Sequence, residues 1–156
     1  MNRIAQILPV DNIALDIEAT SKKRLFEQIG QLFEDRAQIS HTVVYDSLFA
    51  REKLGSTGLG QGIAIPHGRI KGLTSAAAAF VRPRQAIPFD SPDGKPVSQV
   101  FVLLVPEQAT EEHLQLLSEL AQMLSDRAFR DRLAATNDPA LLHEIFAAWD
   151  SEASTQ

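Results

Sequence analysis

One histidine lies in a segment that is unusually rich in glycine. His67 belongs to the stretch GSTGLGQGIAIPHGR, residues 55–69, and six of the eight glycines of the chain fall between residues 55 and 72. Because glycine lets backbone N–H groups approach an anion closely, such a stretch is typical of phosphate-binding sites. A neutral imidazole nitrogen can attack phosphorus and form a phosphoramidate when the phosphoryl charge is stabilised. The segment therefore predicts a phosphoryl-accepting histidine, with a histidine merely held in a tight turn as the alternative.

Several neighbours of His67 could bind phosphoryl oxygens. Arg51 and Arg69 offer guanidinium groups whose geometry matches a phosphate. Hydroxyls and glycine N–H groups complete the predicted phosphoryl-binding set, which is Ser56, Thr57, Gly58, Gly62 and Gly68. No Asp or Glu occurs between Lys53 and Phe89, although the whole chain has a net charge of −5. This acid-free segment, residues 53–89, is expected to bind an anion or an acidic protein surface, the alternative being a chance distribution of charge on a solvated face.

Other glycine-rich or histidine sites fit the sequence less well. A Walker loop needs Gly-Lys-Ser/Thr, but Gly60 is followed by Gln61 and Gly62. The dinucleotide fingerprint needs a strand before its glycines, and the nucleophile elbow needs a Gly-x-Ser-x-Gly spacing that is missing here. The four histidines are far apart and the chain has no cysteine, so no metal is expected. A metal site assembled from distant residues stays an open alternative.

Helical and strand patterns alternate along the chain. The predicted helices are residues 20–37 behind Thr20 or Ser21, residues 41–53, a helix that begins at Thr110, and a helix that begins at Asp138 with Pro139 in its first position. The predicted strands are residues 63–65, 75–81 and 97–105, and turn residues at 91–96 indicate a hairpin or a wide connection. The glycine-rich segment before residue 63 is predicted to be a loop. We expect one α/β domain, residues 1–150, with a sheet between helical layers and a polar tail at 151–156.

The predicted elements place three candidate residues at element ends. Arg51 lies at the end of the helix at 41–53, and His67 follows the strand at 63–65 after a proline. His113 lies in the first turn of the helix after Thr110, where the helix dipole favours an anion. Arg51 complementing the dipole of its helix, and His113 as an ordinary first-turn histidine, are the alternatives. The helix that begins at Thr110 is predicted to face inward with Leu114, Leu117, Ala121 and Leu124, and this face is widened by Leu116, Leu120 and Met123.

Composition limits the partners and the location. The 156 residues include 44% hydrophobic and 22% charged residues, which is typical of a globular domain. The acidic net charge argues against nucleic-acid binding. The N-terminus has no apolar signal-peptide core, and no apolar run approaches the roughly 20 residues of a membrane helix. We therefore expect a cytoplasmic protein that does not insert into a membrane.

A longer stretch resembles a known family. REKLGSTGLGQGIAIPHGR, residues 51–69, is similar to the active-site segment of the enzyme IIA proteins of the bacterial phosphoenolpyruvate-dependent phosphotransferase system. The similarity is to the mannitol/fructose type and above all to its nitrogen-regulatory subgroup. It extends over most of the chain, through SKKRLFEQI, VFVLLVP and EHLQLLSELAQML. The family fold that this implies is a mixed β-sheet flanked by helices on both faces.

The resemblance also implies roles for three residues and a set of partners. His67 would carry the phosphoryl group, His113 would assist it, and Arg51 would lie beside them. The donor would be an HPr-like phosphocarrier protein, and no cofactor is implied. The protein would regulate targets such as transporters or kinases according to its phosphorylation state, as a monomer or weak homodimer. The alternative is a sugar-specific enzyme IIA that passes the phosphoryl group to the enzyme IIB of a fructose or mannitol transporter.

Overall fold

The fold is built on one six-stranded sheet. A computed structural model of the protein describes residues 2–108 and 110–150. The strands, in chain order, are β1 (Ile13–Ile17), β2 (Gly58–Gly60), β3 (Ile63–Ala64), β4 (His67–Ile70), β5 (Ala77–Pro83) and β6 (Gln99–Pro106). The sheet is mixed, since β5 and β6 are antiparallel while β1 pairs parallel with β5. β6 lies in the middle, with β5 on one side and β3 and β4 on the other.

The strand that carries His67 is broken in two. β3 and β4 both run parallel to β6, with Ile63 opposite Gln99 and His67 opposite Leu103. The break falls at Ile65 and Pro66, and the Pro66 carbonyl accepts a hydrogen bond from Leu103 N at 3.0 Å. Proline has no N–H to donate to a ladder, so the break coincides with the residue that cannot continue the pairing. The strand predicted at 63–65 therefore ends early and resumes at His67.

Helices cover both faces of the sheet, as predicted. The helices are α1 (Arg3–Gln6), α2 (Lys22–Ala37), α3 (His41–Glu52), α4 (Glu111–Ser125), α5 (Arg127–Ala134) and α6 (Pro139–Ala148). One apolar core unites α2 and α3 with one face, and a second core unites the other four helices with the opposite face. Ser21 is the N-cap of α2, since its hydroxyl accepts from Arg24 N at 3.1 Å. The predicted α/β fold with helices on both faces is confirmed.

Two local predictions were wrong. The glycine-rich segment is not entirely a loop, because Gly58–Gly60 forms β2 and pairs antiparallel with β3. Strand pairing here outweighs the low strand propensity of glycine. The predicted inward face of α4 is wrong at Leu114, which is 61% exposed, whereas Leu116, Leu120, Met123 and Leu124 are buried as predicted. Leu114 instead borders a cavity beside the edge of the sheet.

Several short elements had no sequence prediction. Neither β1 nor β4 is predicted by the sequence pattern, and the boundary between α4 and α5 is not predicted either. Strands of four or five residues carry too few side chains for a clear alternation. The connection between β5 and β6 is wide, with a single bridge between Ile87 and Val97. Within residues 2–108 and 110–150, no helix is both long and apolar enough to cross a membrane. The predicted tail at 151–156 lies outside the described residues.

Candidate functional site

A cavity of about 570 Å³ lies at the sheet edge formed by β4. The C-terminal half of α3 borders it from one face of the sheet, and the first turns of α4 border it from the other. Its lining residues are Ser47, Ala50, Arg51, Leu54, His67, Gly68, Arg69, Leu103, Val105, His113, Leu114 and Leu117. The fold thus brings the three predicted catalytic residues, Arg51, His67 and His113, into the wall of one cavity.

The imidazole of His67 is held in one orientation. Its Nδ1 lies 2.7 Å from the carbonyl oxygen of Ile65, at the strand break. A carbonyl can only accept, so Nδ1 carries the proton and donates it, which leaves Nε2 with a free electron pair in the neutral ring. Burial lowers the pKa of His67 below the ordinary value for a histidine. The Ile65 hydrogen bond acts in the opposite direction, and the Arg51 guanidinium lowers the pKa further. The ring is therefore neutral and nucleophilic near pH 7.

Arg51 contacts the nucleophilic nitrogen directly. It lies in the last turn of α3, and its Nε donates to His67 Nε2 at 3.2 Å. Its Nη1 donates to the carbonyl of Gly55 at 2.8 Å, which fixes the guanidinium plane. Nη2 has no hydrogen-bond partner in the described part of the chain. The guanidinium thus has a free N–H edge beside the atom that would receive a phosphoryl group.

His113 presents the opposite tautomer. It is the third residue of α4, and its Nδ1 accepts from the backbone N–H of Thr110 at 3.0 Å. Because Nδ1 is an acceptor there, the proton of the neutral ring lies on Nε2. His113 can therefore donate from Nε2, while His67 can attack from Nε2. A nucleophile and a donor line the same cavity.

The predicted hydroxyls are engaged elsewhere. Ser56 Oγ donates to the carbonyl of Phe89 at 2.5 Å, and Thr57 Oγ1 donates to Glu52 Oε1 at 2.7 Å. Neither residue lines the cavity. The structure therefore does not bring Ser56 or Thr57 to His67.

The predicted phosphoryl-binding glycines have mainly steric roles. A Cβ at Gly58 would lie 2.2 Å from Ser91 Oγ, and a Cβ at Gly68 would lie 2.2 Å from Ser47 Oγ. Gly62 adopts a φ of +78°, which favours glycine. Of these three glycines, only Gly68 lines the cavity. Close packing and turn geometry account for Gly58 and Gly62 without a ligand.

The groups that orient His67 and His113 are not predicted by the sequence. The Ile65 carbonyl and the N–H of Thr110 set the two tautomers, and Glu52 is a buried carboxylate 8% exposed. The contacts of main-chain groups cannot be predicted from residue types, because nearly every residue has the same N–H and carbonyl. The sequence gives only a weak indication that Glu52 matters, namely that it is the last acidic residue before the acid-free segment.

The other groove in the described chain lacks the pair of histidines found in this cavity. A larger groove, of about 960 Å³, runs between α2 and α3. Its histidine, His41, has Nδ1 2.6 Å from Glu34 Oε2 and is therefore occupied by a carboxylate. In residues 2–108 and 110–150, no group of three or more His, Asp or Glu is arranged to hold a metal ion.

Comparison with known proteins identifies similar chains. Residues 6–149 match the family model described as "Phosphoenolpyruvate-dependent sugar phosphotransferase system, EIIA 2". A nitrogen regulatory protein of Pseudomonas aeruginosa is 44% identical over 146 residues, covering 93% of this chain and 95% of that protein. The crystal structure of the nitrogen regulatory protein IIA-Ntr from Neisseria meningitidis superposes with a TM-score of 0.87 at 53% identity, over 92% of this chain and 99% of that one. A fructose-specific EIIA component of Haloferax volcanii is 31% identical over 92% of this chain and 94% of that protein.

Proposed function

The chain belongs to the EIIA 2 family of the phosphoenolpyruvate-dependent sugar phosphotransferase system. We propose that it carries the phosphoryl group on Nε2 of His67. Domains of this family take phosphoryl groups from upstream carriers and pass them to partners. One observation supports the choice of atom above the others: Nδ1 of His67 donates its proton to the Ile65 carbonyl, so Nε2 is the unprotonated nitrogen, whose electron pair attacks once Arg51 Nε releases it.

The transfer needs no proton to leave His67. The electron pair of Nε2 attacks phosphorus, the new P–N bond forms, and the bond between phosphorus and the donor carrier breaks. The proton stays on Nδ1, so the ring gains positive character, which the Ile65 carbonyl stabilises through its hydrogen bond. The neutral ring that this step requires is the form favoured by burial, which lowers the pKa of His67.

Arg51 and His113 stabilise the transferred group. Arg51 Nε must release Nε2 of His67 as phosphorus approaches, and its guanidinium then turns its N–H groups to the phosphoryl oxygens. His113 donates from Nε2 to another oxygen, since its Nδ1 is held by Thr110. Phosphoryl transfer passes through a state whose charge is spread over three oxygens, so donors placed around it lower the barrier.

We further propose that the phosphorylation state of the protein regulates its targets. The relatives from Pseudomonas aeruginosa and Neisseria meningitidis are nitrogen regulatory proteins, at 44% and 53% identity. The donor is an HPr-like phosphocarrier protein, and the targets are proteins such as transporters or kinases in a nitrogen-related branch of the system. A sugar-specific enzyme IIA is the second candidate, because the Haloferax volcanii relative is fructose-specific at 31% identity.

Two assays separate these functions. We expect His67→Glu, which imitates the charge of the phosphorylated state, and His67→Ala to retain different sets of proteins from a cell extract, quantified by mass spectrometry. We also expect onward transfer from the phosphorylated wild type to a purified fructose- or mannitol-type enzyme IIB to be slow. Identical retained sets together with rapid transfer to enzyme IIB would establish the sugar-specific alternative instead.

The rim of the cavity is suited to an acidic protein surface. Leu54 and Leu114 border the cavity and are 83% and 61% exposed, and Arg69 lines it without an ion pair to any described residue. We expect charge reversal by Arg69→Glu in the rim, or by Lys71→Glu two residues further along the acid-free segment, to slow association with the HPr-like carrier. Association of the wild type should slow as salt rises, because exposed charges are screened over about 10 Å at 0.1 M. Stopped-flow association rates measure both effects.

The matched control for these charge reversals lies on another helix. Arg127 on α5 has a side chain that is 87% exposed, and Arg127→Glu should leave the association rate unchanged. Thermal melting shows whether each variant folds. Wild-type association rates in both Arg69→Glu and Lys71→Glu would remove this rim from the interface.

A further inference from the structure

A buried ion pair joins the start of α2 to the end of α3. Lys22 Nζ is 2.9 Å from Glu52 Oε2, and the two side chains are 17% and 4% exposed. Lys22 also donates to the carbonyl of Phe89 at 3.2 Å, and its ammonium lies 4.5 Å from the centroid of the Phe89 ring. Lys22 is the first residue of α2, where the helix dipole disfavours a positive charge. The position of this lysine is thus explained by the carboxylate it binds and not by its own helix.

Glu52 fixes the main chain that follows α3. Its Oε2 accepts from Thr57 N at 3.0 Å, and its Oε1 accepts from Thr57 Oγ1 at 2.7 Å. Arg51, the preceding residue, binds the same segment through the Gly55 carbonyl. The two neighbouring side chains therefore hold residues 53–57 from two directions.

Thr57 transmits this constraint to the nucleophile through one main-chain step. Its carbonyl accepts from Ile65 N at 3.0 Å, and the Ile65 carbonyl accepts from His67 Nδ1 at 2.7 Å. A continuous set of contacts thus runs from Lys22 and Glu52 to the imidazole. Displacement of Thr57 moves Ile65, and with it the carbonyl that decides which nitrogen of His67 carries the proton.

We propose that Lys22 and Glu52 form a positioning pair for phosphoryl transfer. By holding Thr57, the pair presents the Ile65 carbonyl to Nδ1 of His67, keeps the proton there and leaves Nε2 free to attack. Neither residue touches the phosphoryl group, so both act through the orientation of His67. The inference rests on the proposed function of His67 as acceptor, but its structural part concerns the unphosphorylated protein.

The imidazole tautomer of His67 is the first readout. In protein with ¹⁵N-labelled histidine, above the ordinary histidine pKa of about 6.5, the nitrogen shifts report which nitrogen carries the proton. We expect the wild type to show protonated Nδ1 and bare Nε2, and Glu52→Gln and Lys22→Met to shift toward a mixture of both tautomers. Lys22→Arg, which keeps the charge and the donors, should restore the wild-type shifts. This measurement needs no phosphoryl donor.

The rate of phosphoryl uptake is the second readout. We expect Glu52→Gln and Lys22→Met to slow single-turnover uptake by about 10- to 100-fold, by analogy with the loss caused by removing the hydrogen-bond partner that orients a metal-ligating histidine. Glu18→Gln is the matched control, because Glu18 pairs with Arg84 with its side chain 75% exposed, and it should leave rate and shifts unchanged. Thr57→Val removes only the hydrogen bond between Thr57 Oγ1 and Glu52 and leaves the buried ion pair in place. It tests the same effect on His67 if Glu52→Gln and Lys22→Met do not fold.

The two readouts separate the possible failures. Unchanged His67 nitrogen shifts in folded Glu52→Gln and Thr57→Val would overturn the positioning pair, whatever their uptake rates. A shift in tautomer with slower uptake, rescued by Lys22→Arg, supports it. If the wild type takes up no phosphoryl group, the proposed function fails, and the nitrogen shifts still decide whether the pair orients His67.

Discussion

Replacing His67 with alanine is expected to abolish phosphoryl uptake. His67 Nε2 carries no proton and needs only to be released by Arg51 Nε, whereas His113 accepts from Thr110 at Nδ1 and carries its proton on Nε2. The assay incubates the protein with enzyme I, the HPr-like carrier and phosphoenolpyruvate and follows intact mass. The wild type should gain one phosphoryl group that is labile to acid and stable to base.

The control for this substitution is another histidine. His41 lies at the start of α3 and pairs with Glu34, away from the cavity, so His41→Ala should take up a full phosphoryl group. Thermal melting checks that His67→Ala is folded. Stoichiometric phosphorylation of folded His67→Ala would show that another residue is the acceptor.

Replacing His113 with alanine is expected to slow transfer while leaving the acceptor intact. Its Nε2 donates to the phosphoryl group in the proposed mechanism, and donors of this kind are worth about 2.7–4 kcal/mol, or roughly 100- to 1000-fold in rate. His113→Ala should therefore still be phosphorylated at His67 but exchange the group slowly in both directions. Arg51→Ala should behave in the same way, because both side chains donate to oxygens of the same phosphoryl group. Single-turnover transfer in each direction measures the effect.

Stability provides the control for His113→Ala. The substitution removes the contacts of His113 Nδ1 at the start of α4, which are with Thr110 N at 3.0 Å and Thr110 Oγ1 at 3.3 Å, so the free energy of unfolding should fall by only about 1 kcal/mol. A loss of that size cannot account for a hundredfold slower transfer in a folded protein. Wild-type transfer rates in His113→Ala would make His113 an ordinary first-turn histidine.

The sequence predicted the residues of the site better than their bonding. His67, Arg51 and His113 were identified from the glycine-rich segment and the family resemblance, and the structure brings all three into one cavity. Helix α2 and its cap were also predictable, because the helical periodicity of Leu25 and Ile29 follows directly behind Ser21.

The glycines and hydroxyls show why the rest could not be predicted. A glycine allows either an anion or a neighbouring side chain to approach, and Gly58 and Gly68 accommodate the hydroxyls of Ser91 and Ser47. Thr57 has a hydroxyl that suits a phosphate, but it lies beside the buried carboxylate of Glu52. Which partner each residue meets depends on the pairing of β2 with β3 and on the strand break at Pro66, and neither is visible in the local sequence.

Identifying the histidine nitrogen that is bonded to phosphorus tests the proposal that Nε2 of His67 is the acceptor. Wild-type protein with ¹⁵N-labelled histidine, phosphorylated by enzyme I and the HPr-like carrier, can be examined for coupling between ³¹P and each imidazole nitrogen. Because the Ile65 carbonyl holds the proton on Nδ1, the account predicts a single phosphoryl group coupled to Nε2 of His67. A phosphoryl group coupled to Nδ1 of His67, or to a nitrogen of any other histidine, would contradict it.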